Sequence, residues 1–300
     1  MASTLKNIAI IGASGRIGKI ILEGLLKTSQ FDITAISRKE STAVFPPGVN
    51  VIKSDLSEDD LVSAFQGQDA VISAIGGMGV ADQKKIVDAA LRAGIKRFIP
   101  SEFSVDSLNE AVLQLLPVFQ VKKDLIEYLK TKENEGLTWT GIATSGLLDW
   151  CLRNSALDFD IPSRTATIWD GGNKSFTLTN EKELQKSVVA VLQHPEETSN
   201  KFLHVASVET TQNEILSALE EATGSKWKVI ETTTDAQVEE GVKRLSAGDF
   251  GGALIALRAT IFGNTPGLKA NYAKDVGLAN DILGLELDSV QTTVQRVLSN

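Results

Sequence analysis

The segment NIAIIGASGRIG at residues 7–18 limits what this chain can fold into more than any other stretch. It joins a short apolar run directly to three glycines, Gly12, Gly15 and Gly18, spaced GxxGxxG. Unbroken apolar character over residues 8–11 predicts a parallel strand buried on both faces. Ile17, Ile20, Ile21, Leu25 and Leu26 then recur at three- and four-residue steps, with Glu23 and Lys27 on the wet side, which predicts an amphipathic helix. Glycines between such elements let the backbone turn sharply and approach a bound group, and the first helical turn offers free N–H groups to an anion. A tight turn alone needs glycines too. The strand before and the helix after favour a dinucleotide site over Gly12, Ala13, Ser14, Gly15, Arg16, Ile17 and Gly18.

The alternation continues. Strands are predicted at 33–37, 49–52, 69–75, 96–100 and 137–143, with helices at 58–66 and 83–93. This spacing implies right-handed βαβ units and an α/β, Rossmann-type, doubly wound parallel sheet. Beyond residue 146 the pattern loosens into a hairpin around Gly171 and Gly172, a helix at 181–193 and a strand at 202–206. That strand is expected to rejoin the main sheet. The predicted organisation is therefore an NAD(P)-binding Rossmann domain over 1–146 and a smaller, interleaved α/β substrate domain over 147–300.

Charge locates the expected anion. The 300 residues carry −8 overall, which argues against a nucleic-acid-binding surface, yet residues 1–40 hold six basic and three acidic side chains. At the end of the second strand stand Ser37, Arg38 and Lys39, where an NAD-binding protein would place an acidic residue for the ribose hydroxyls. Those three suit the 2′-phosphate of NADP. The apolar run at 8–11 is too short to span a bilayer, and the glycines that follow it do not fit a signal peptide. The single cysteine, Cys151, excludes an intramolecular disulfide and fits a reducing cytoplasm.

Chemistry falls to few residues. His194 and His204 have no acidic or cysteine neighbours at metal-ligand spacing, so no metal is expected, and no GxSxG elbow occurs. A helix is predicted over 117–132 with Val118, Val121, Leu125, Ile126 and Leu129 as its buried stripe. Lys122 has Val118, Phe119, Leu125 and Ile126 as its neighbours one turn away. A lysine on an apolar face is either a proton donor and acceptor near neutral pH or a snorkelling cover for apolar surface. Tyr128 and Lys132 form a YxxxK pair of the short-chain dehydrogenase kind, but at the helix end, where it is expected to lie away from the cofactor.

In combination these residues resemble the NmrA-like, isoflavone reductase-like proteins, which are atypical short-chain dehydrogenases. The resemblance is carried by GASGRIG at 12–18, Arg38, DAVISAIG at 69–76, Gln83, RFIPSEF at 97–103 and FQVK at 119–122. SGLLDW at 145–150, TATIWDGG at 165–172 and HPEET at 194–198 are similar to a fungal branch. It implies an NADPH-binding Rossmann domain closed by a smaller domain over a cleft for a small-molecule substrate. Plant reductases of this group use a helix lysine that corresponds to Lys122, so the resemblance implies Lys122 as the catalytic acid/base. It also implies that Ser73, Ala74, Ser101 and Phe103, at the ends of the fourth and fifth strands, flank the cofactor. Trp150, Trp169 and Leu147 are candidates for the cleft wall. Residues 43–47 lack the second basic residue that the plant enzymes commonly place on the 2′-phosphate, leaving Lys39 as its substitute.

Two functions follow as expectations. One is an NADPH-dependent reductase of a small aromatic or conjugated carbonyl compound. The other is a non-catalytic dinucleotide sensor that acts through a protein partner, as some NmrA-like proteins do.

Overall fold

The computed structural model describes residues 5–299. The first half alternates β1 (Asn7–Ile11), α1 (Arg16–Thr28), β2 (Asp32–Arg38), β3 (Val49–Ser54), α2 (Glu58–Ala64), β4 (Ala70–Ser73), α3 (Gln83–Arg92), β5 (Arg97–Ile99), α4 (Glu110–Leu115), α5 (Gln120–Lys132) and β6 (Thr138–Ala143). There follow α6 (Leu148–Arg153), β7 (Phe159–Asp160), β8 (Thr165–Trp169), β9 (Phe176–Leu178), α7 (Glu181–Gln193), β10 (Lys201–His204), β11 (Val208–Thr210), α8 (Gln212–Thr223) and β12 (Lys228–Thr232). Helices α9 (Thr234–Ser246), α10 (Gly251–Phe262), α11 (Tyr272–Asp275), α12 (Asn280–Leu283) and α13 (Val290–Leu298) complete the chain.

Seven parallel strands form the main sheet in the order β10-β6-β5-β4-β1-β2-β3. The chain runs outward from β1 to β3 and then returns to place β4 on the other side of β1. Open α/β sheets bind ligands at such a reversal, beyond the carboxyl ends of the strands. Both faces are covered, which is why β1 and β4 read as unbroken apolar runs. On one face α1 and α7 bury Ile20, Ile21, Leu25, Leu184 and Val188 against Ile8 and Ile10. On the other, α2, α3 and α5 bury Leu61, Ile86, Leu125 and Leu129 against Ala9, Val71 and Phe98.

The second half returns twice to this sheet, through α7 and through β10, which pairs with β6 from Lys201 to His204. Its remaining strands form β12-β8-β7 and β11-β9, packed with α6, α8, α10 and α13 around a separate core. The expected hairpin around Gly171 and Gly172 does not form. Strand β8 already has β7 on one edge and β12 on the other, so β9 pairs with β11 instead. The glycines serve a turn at positive φ, closed by Gly172 N–H donating to the Trp169 carbonyl at 2.9 Å.

Two further expectations are corrected. Val118 and Val121 are 66% and 38% exposed. Residues 117–119 form a 3-10 turn, which shifts the helical phase, so the stripe that α5 buries is Lys122, Leu125, Ile126 and Leu129. Trp169 is part of the second core, edge-on to Phe262 and donating through Nε1 to Asp158, and does not line a cleft. No helix among the described residues is long and apolar enough to cross a membrane.

Candidate active site

A cleft of about 410 Å³ opens at the β1/β4 reversal. Gly12, Ala13, Ser14 and Gly15 form its floor, and Ser37, Arg38, Ala74, Ile75 and Lys85 stand around it. Two of the glycines are required by close approach. Gly12 adopts φ +82°, and a Cβ there would meet the Ala74 carbonyl oxygen at 2.6 Å. A Cβ on Gly18 would stand 2.1 Å from the Gly12 carbonyl oxygen, so only glycine lets α1 start this close to β1. The first turn of α1 holds no acidic residue and Gly15 makes no side-chain cap, so among the described residues no side chain competes with an anion for the first-turn N–H groups.

The cation side of the cleft differs from the sequence expectation. Arg38 lines it and, among the described residues, is paired with Glu40 alone through an exposed 3.4 Å contact, weak enough to yield to a phosphate. Lys39 is not among the lining residues. Its ammonium is 2.9 Å from Asp55 and 3.8 Å from Asp60, and these carboxylates hold its proton more firmly than usual. Lys85 of α3 and Ser41 line the cleft instead, neither singled out by the sequence pattern. Ser73 is fully buried in β4 with no hydrogen-bond partner for its hydroxyl. Ser101 is committed to the protein, donating through Oγ to the Ile75 carbonyl at 2.7 Å while its N–H donates to Gln83.

A second, smaller cavity of about 160 Å³ lies beyond Arg16 and Ile17, where Phe103, Leu147 and Trp150 meet residues of α10. Its wall is built on two non-glycine residues in the left-handed region, Phe103 at φ 30° and Ser145 at φ 53°. Both backbone turns are pinned by one group: the Ser104 carbonyl accepts the N–H groups of Thr144 and Ser145 at 2.9 and 3.0 Å. Strain held this way at a cavity wall is a common mark of a functional site. Cys151 also faces this cavity, but burial pushes its thiol up to about 12, so it is not a nucleophile.

Lys122 lies immediately behind this wall. It is 8% exposed, and its Nζ donates to the carbonyl of Glu102, the residue before Phe103, at 2.7 Å. It is not among the lining residues of either cavity. Burial lowers its pKa below the ordinary lysine value, and the Glu102 carboxylate opposes that shift. Glu102 is itself buried, and burial raises its pKa against the pull of Lys122 and of Ser107, whose hydroxyl donates to Oε2 at 2.6 Å. Its Oε1 has no partner. The pattern of α5 pointed to Lys122, but nothing in the sequence identified Glu102 as the group coupled to it. The alternative pair is elsewhere: Tyr128 bonds Asp88 of α3 and Lys132 bonds Glu135, both on the helical layer outside the sheet. His204 stands 3.0 Å from Asp106 and is edge-on to Tyr272, a satisfied structural histidine.

The NmrA-like family model matches residues 4–244. The chain is 33% identical over 294 residues to oxidoreductase aprR of Aspergillus flavus, covering 97% of this chain and 98% of that one. A solved isoflavone reductase superposes with a TM-score of 0.76 at 26% identity, covering 98% and 99% of the two chains. A leucoanthocyanidin reductase–NADPH complex from Vitis vinifera superposes at 0.80 with 19% identity, covering 98% and 100%, and so shares the fold.

Proposed function

The chain belongs to the NmrA-like family, and from that premise we propose that it is an NADPH-dependent reductase of a small aromatic or conjugated carbonyl compound. The observation that carries this reading is the succession along one turn of a glycine-floored cleft, lined to Gly15, and an apolar cavity, lined from Arg16 and backed by a buried lysine. The cradle fits a dinucleotide: glycine at 12 and 18 lets α1 start against β1 and β4 where a Cβ would strike backbone, and the first turn of α1 carries no acidic side chain and no side-chain cap. Ser37 and Arg38 would hold the 2′-phosphate. NADPH, when bound, supplies the hydride.

The protein's part is to place and protonate. Apolar side chains of the second cavity keep water from the reacting carbon and hold a flat guest against Phe103 and Trp150. Lys122 holds a proton at Nζ, fixed by the Glu102 carbonyl just behind Phe103, and would give it to the oxygen on which negative charge develops when the wall at Phe103 lets that oxygen reach Nζ. Burial eases that release by disfavouring the charged ammonium.

Arg38→Ala tests the cofactor assignment. Loss of one charge-assisted phosphate contact is expected to raise the NADPH Kd by about tenfold and leave NADH binding within about twofold. Fluorescence titration with both nucleotides reads this directly. Equal losses for the two would remove Arg38 from the 2′-phosphate. The sensor reading has one observation in its favour, the withdrawal of Lys122 behind both cavity walls, and it predicts tight nucleotide binding without turnover on any enone or aryl carbonyl.

A further inference from the structure

Arg16 occupies an unusual position in the glycine turn. Its guanidinium lies over the Trp150 ring, 4.0 Å from the ring centroid, and it lines the apolar cavity. Among the described residues no carboxylate lies within ion-pair distance of it. The other cation at this cavity, Arg258, is spent: Nη1 pairs with Asp158 at 2.6 Å and Nε donates to the Ala156 carbonyl at 2.8 Å. No acidic side chain lines the cavity. The result is an aromatic and aliphatic pocket with one uncompensated positive charge at its rim.

Stacking decides what that charge can do. A guanidinium held over an indole ring by a cation–π contact leaves N–H groups free at its edge, and such an edge takes a carboxylate through two parallel hydrogen bonds. Its place at the start of α1 adds the positive end of the helix dipole. We infer that the substrate is a compact aromatic or conjugated acid, its apolar body in the cavity and its carboxylate on Arg16. This rests on the reductase reading for taking the cavity as the substrate site. Arg16 is then a specificity residue, choosing acids over neutral analogues of the same shape.

The experiment measures binding and needs no turnover. The native protein and Arg16→Gln, each with saturating NADP+, are titrated calorimetrically with 4-hydroxycinnamate, benzoate and 3-phenylpropionate and with their methyl esters. The native protein should bind at least one acid about tenfold more tightly than its ester. Arg16→Gln should bring that acid to the level of its ester, with ester affinity within about twofold of native. Arg16 is exposed, so the variant should keep the native melting temperature. The inference is overturned if no acid is preferred over its ester. It is also overturned if Arg16→Gln weakens NADP+ and leaves the preference intact, because Arg16 would then serve the pyrophosphate. A preference for acids that Arg16→Gln abolishes, in a protein that reduces nothing, would leave the cavity as an acid-binding site and sink the reductase reading on its own.

Discussion

Lys122→Ala should lower turnover by about 10²- to 10⁴-fold while leaving the NADPH Kd within about twofold of native, the loss associated with a positioned general acid. The side chain sits on the buried stripe of α5 with Leu125, Ile126 and Leu129, a place where a lysine costs stability. A snorkelling lysine would carry its charge out to water, whereas this one is 8% exposed and points inward to a main-chain carbonyl. Truncation leaves that carbonyl and the Glu102 carboxylate without their cation, so Lys122→Met is the companion variant that keeps the volume. Both should lose turnover, which a packing role would not predict for methionine.

Coupling to Glu102 gives the pH dependence its sign. Lys122 must carry its proton to act as an acid, so activity falls as pH rises through a pKa that burial holds below the usual lysine value. The Glu102 carboxylate raises that pKa. Glu102→Gln removes the charge but keeps an acceptor for the Ser107 hydroxyl, so the alkaline limb of the kcat profile should move to lower pH. A limb that stays in place would separate Glu102 from Lys122.

Gly18→Ala is the second large effect, and it acts through the backbone. The new Cβ would stand 2.1 Å from the Gly12 carbonyl oxygen and 2.7 Å from the Ala13 Cα, neither of which can rotate aside. Helix α1 must move away from β1, against the packing of Ile20, Ile21 and Leu25 on the sheet. Overpacking of this kind costs about 1–3 kcal/mol, or about 2–5 °C in Tm for a chain of this length. The N–H groups that would meet the pyrophosphate move with the helix, so NADPH binding should weaken by at least about tenfold, as for the loss of a charge-assisted contact. Calorimetry and nucleotide titration on the same sample check both. A lower Tm with an unchanged Kd would place the pyrophosphate elsewhere.

The main sheet was legible because its strands are covered on both faces, so β1 and β4 appear as apolar runs and α1 as a 3.6-residue period. The return of β10 to β6 was also readable, since Phe202 and Leu203 continue the strand pattern. Periodicity failed where neighbours far along the chain decide. Gly171 and Gly172 read as a hairpin because nothing local says that β12, some sixty residues on, takes the edge of β8. The stripe of α5 was read correctly at Leu125, Ile126 and Leu129 but carried too far back, to Val118 and Val121, because the 3-10 turn before the helix looks helical in sequence.

The site divides the same way. Gly12 and Gly18 were readable because contact between β1 and the start of α1 is local. For Lys39 no local pattern hinted at its carboxylate partner, since Asp55 follows the neighbouring strand β3. Glu102 and Trp150 gain their significance only from Lys122 and Arg16, 20 and 134 positions away in sequence, and no spacing rule reaches that far.

A chain that transfers hydride, and does not merely sense a nucleotide, must leave the nicotinamide hydrogen on a product. The direct measurement uses NADPH deuterated at nicotinamide C4, a panel of aryl enones and aldehydes, and mass spectrometry of the products. One deuteron on carbon in at least one product, absent with Lys122→Ala despite unchanged NADPH binding, is the predicted result. Tight NADPH binding with no deuterium in any product would contradict it.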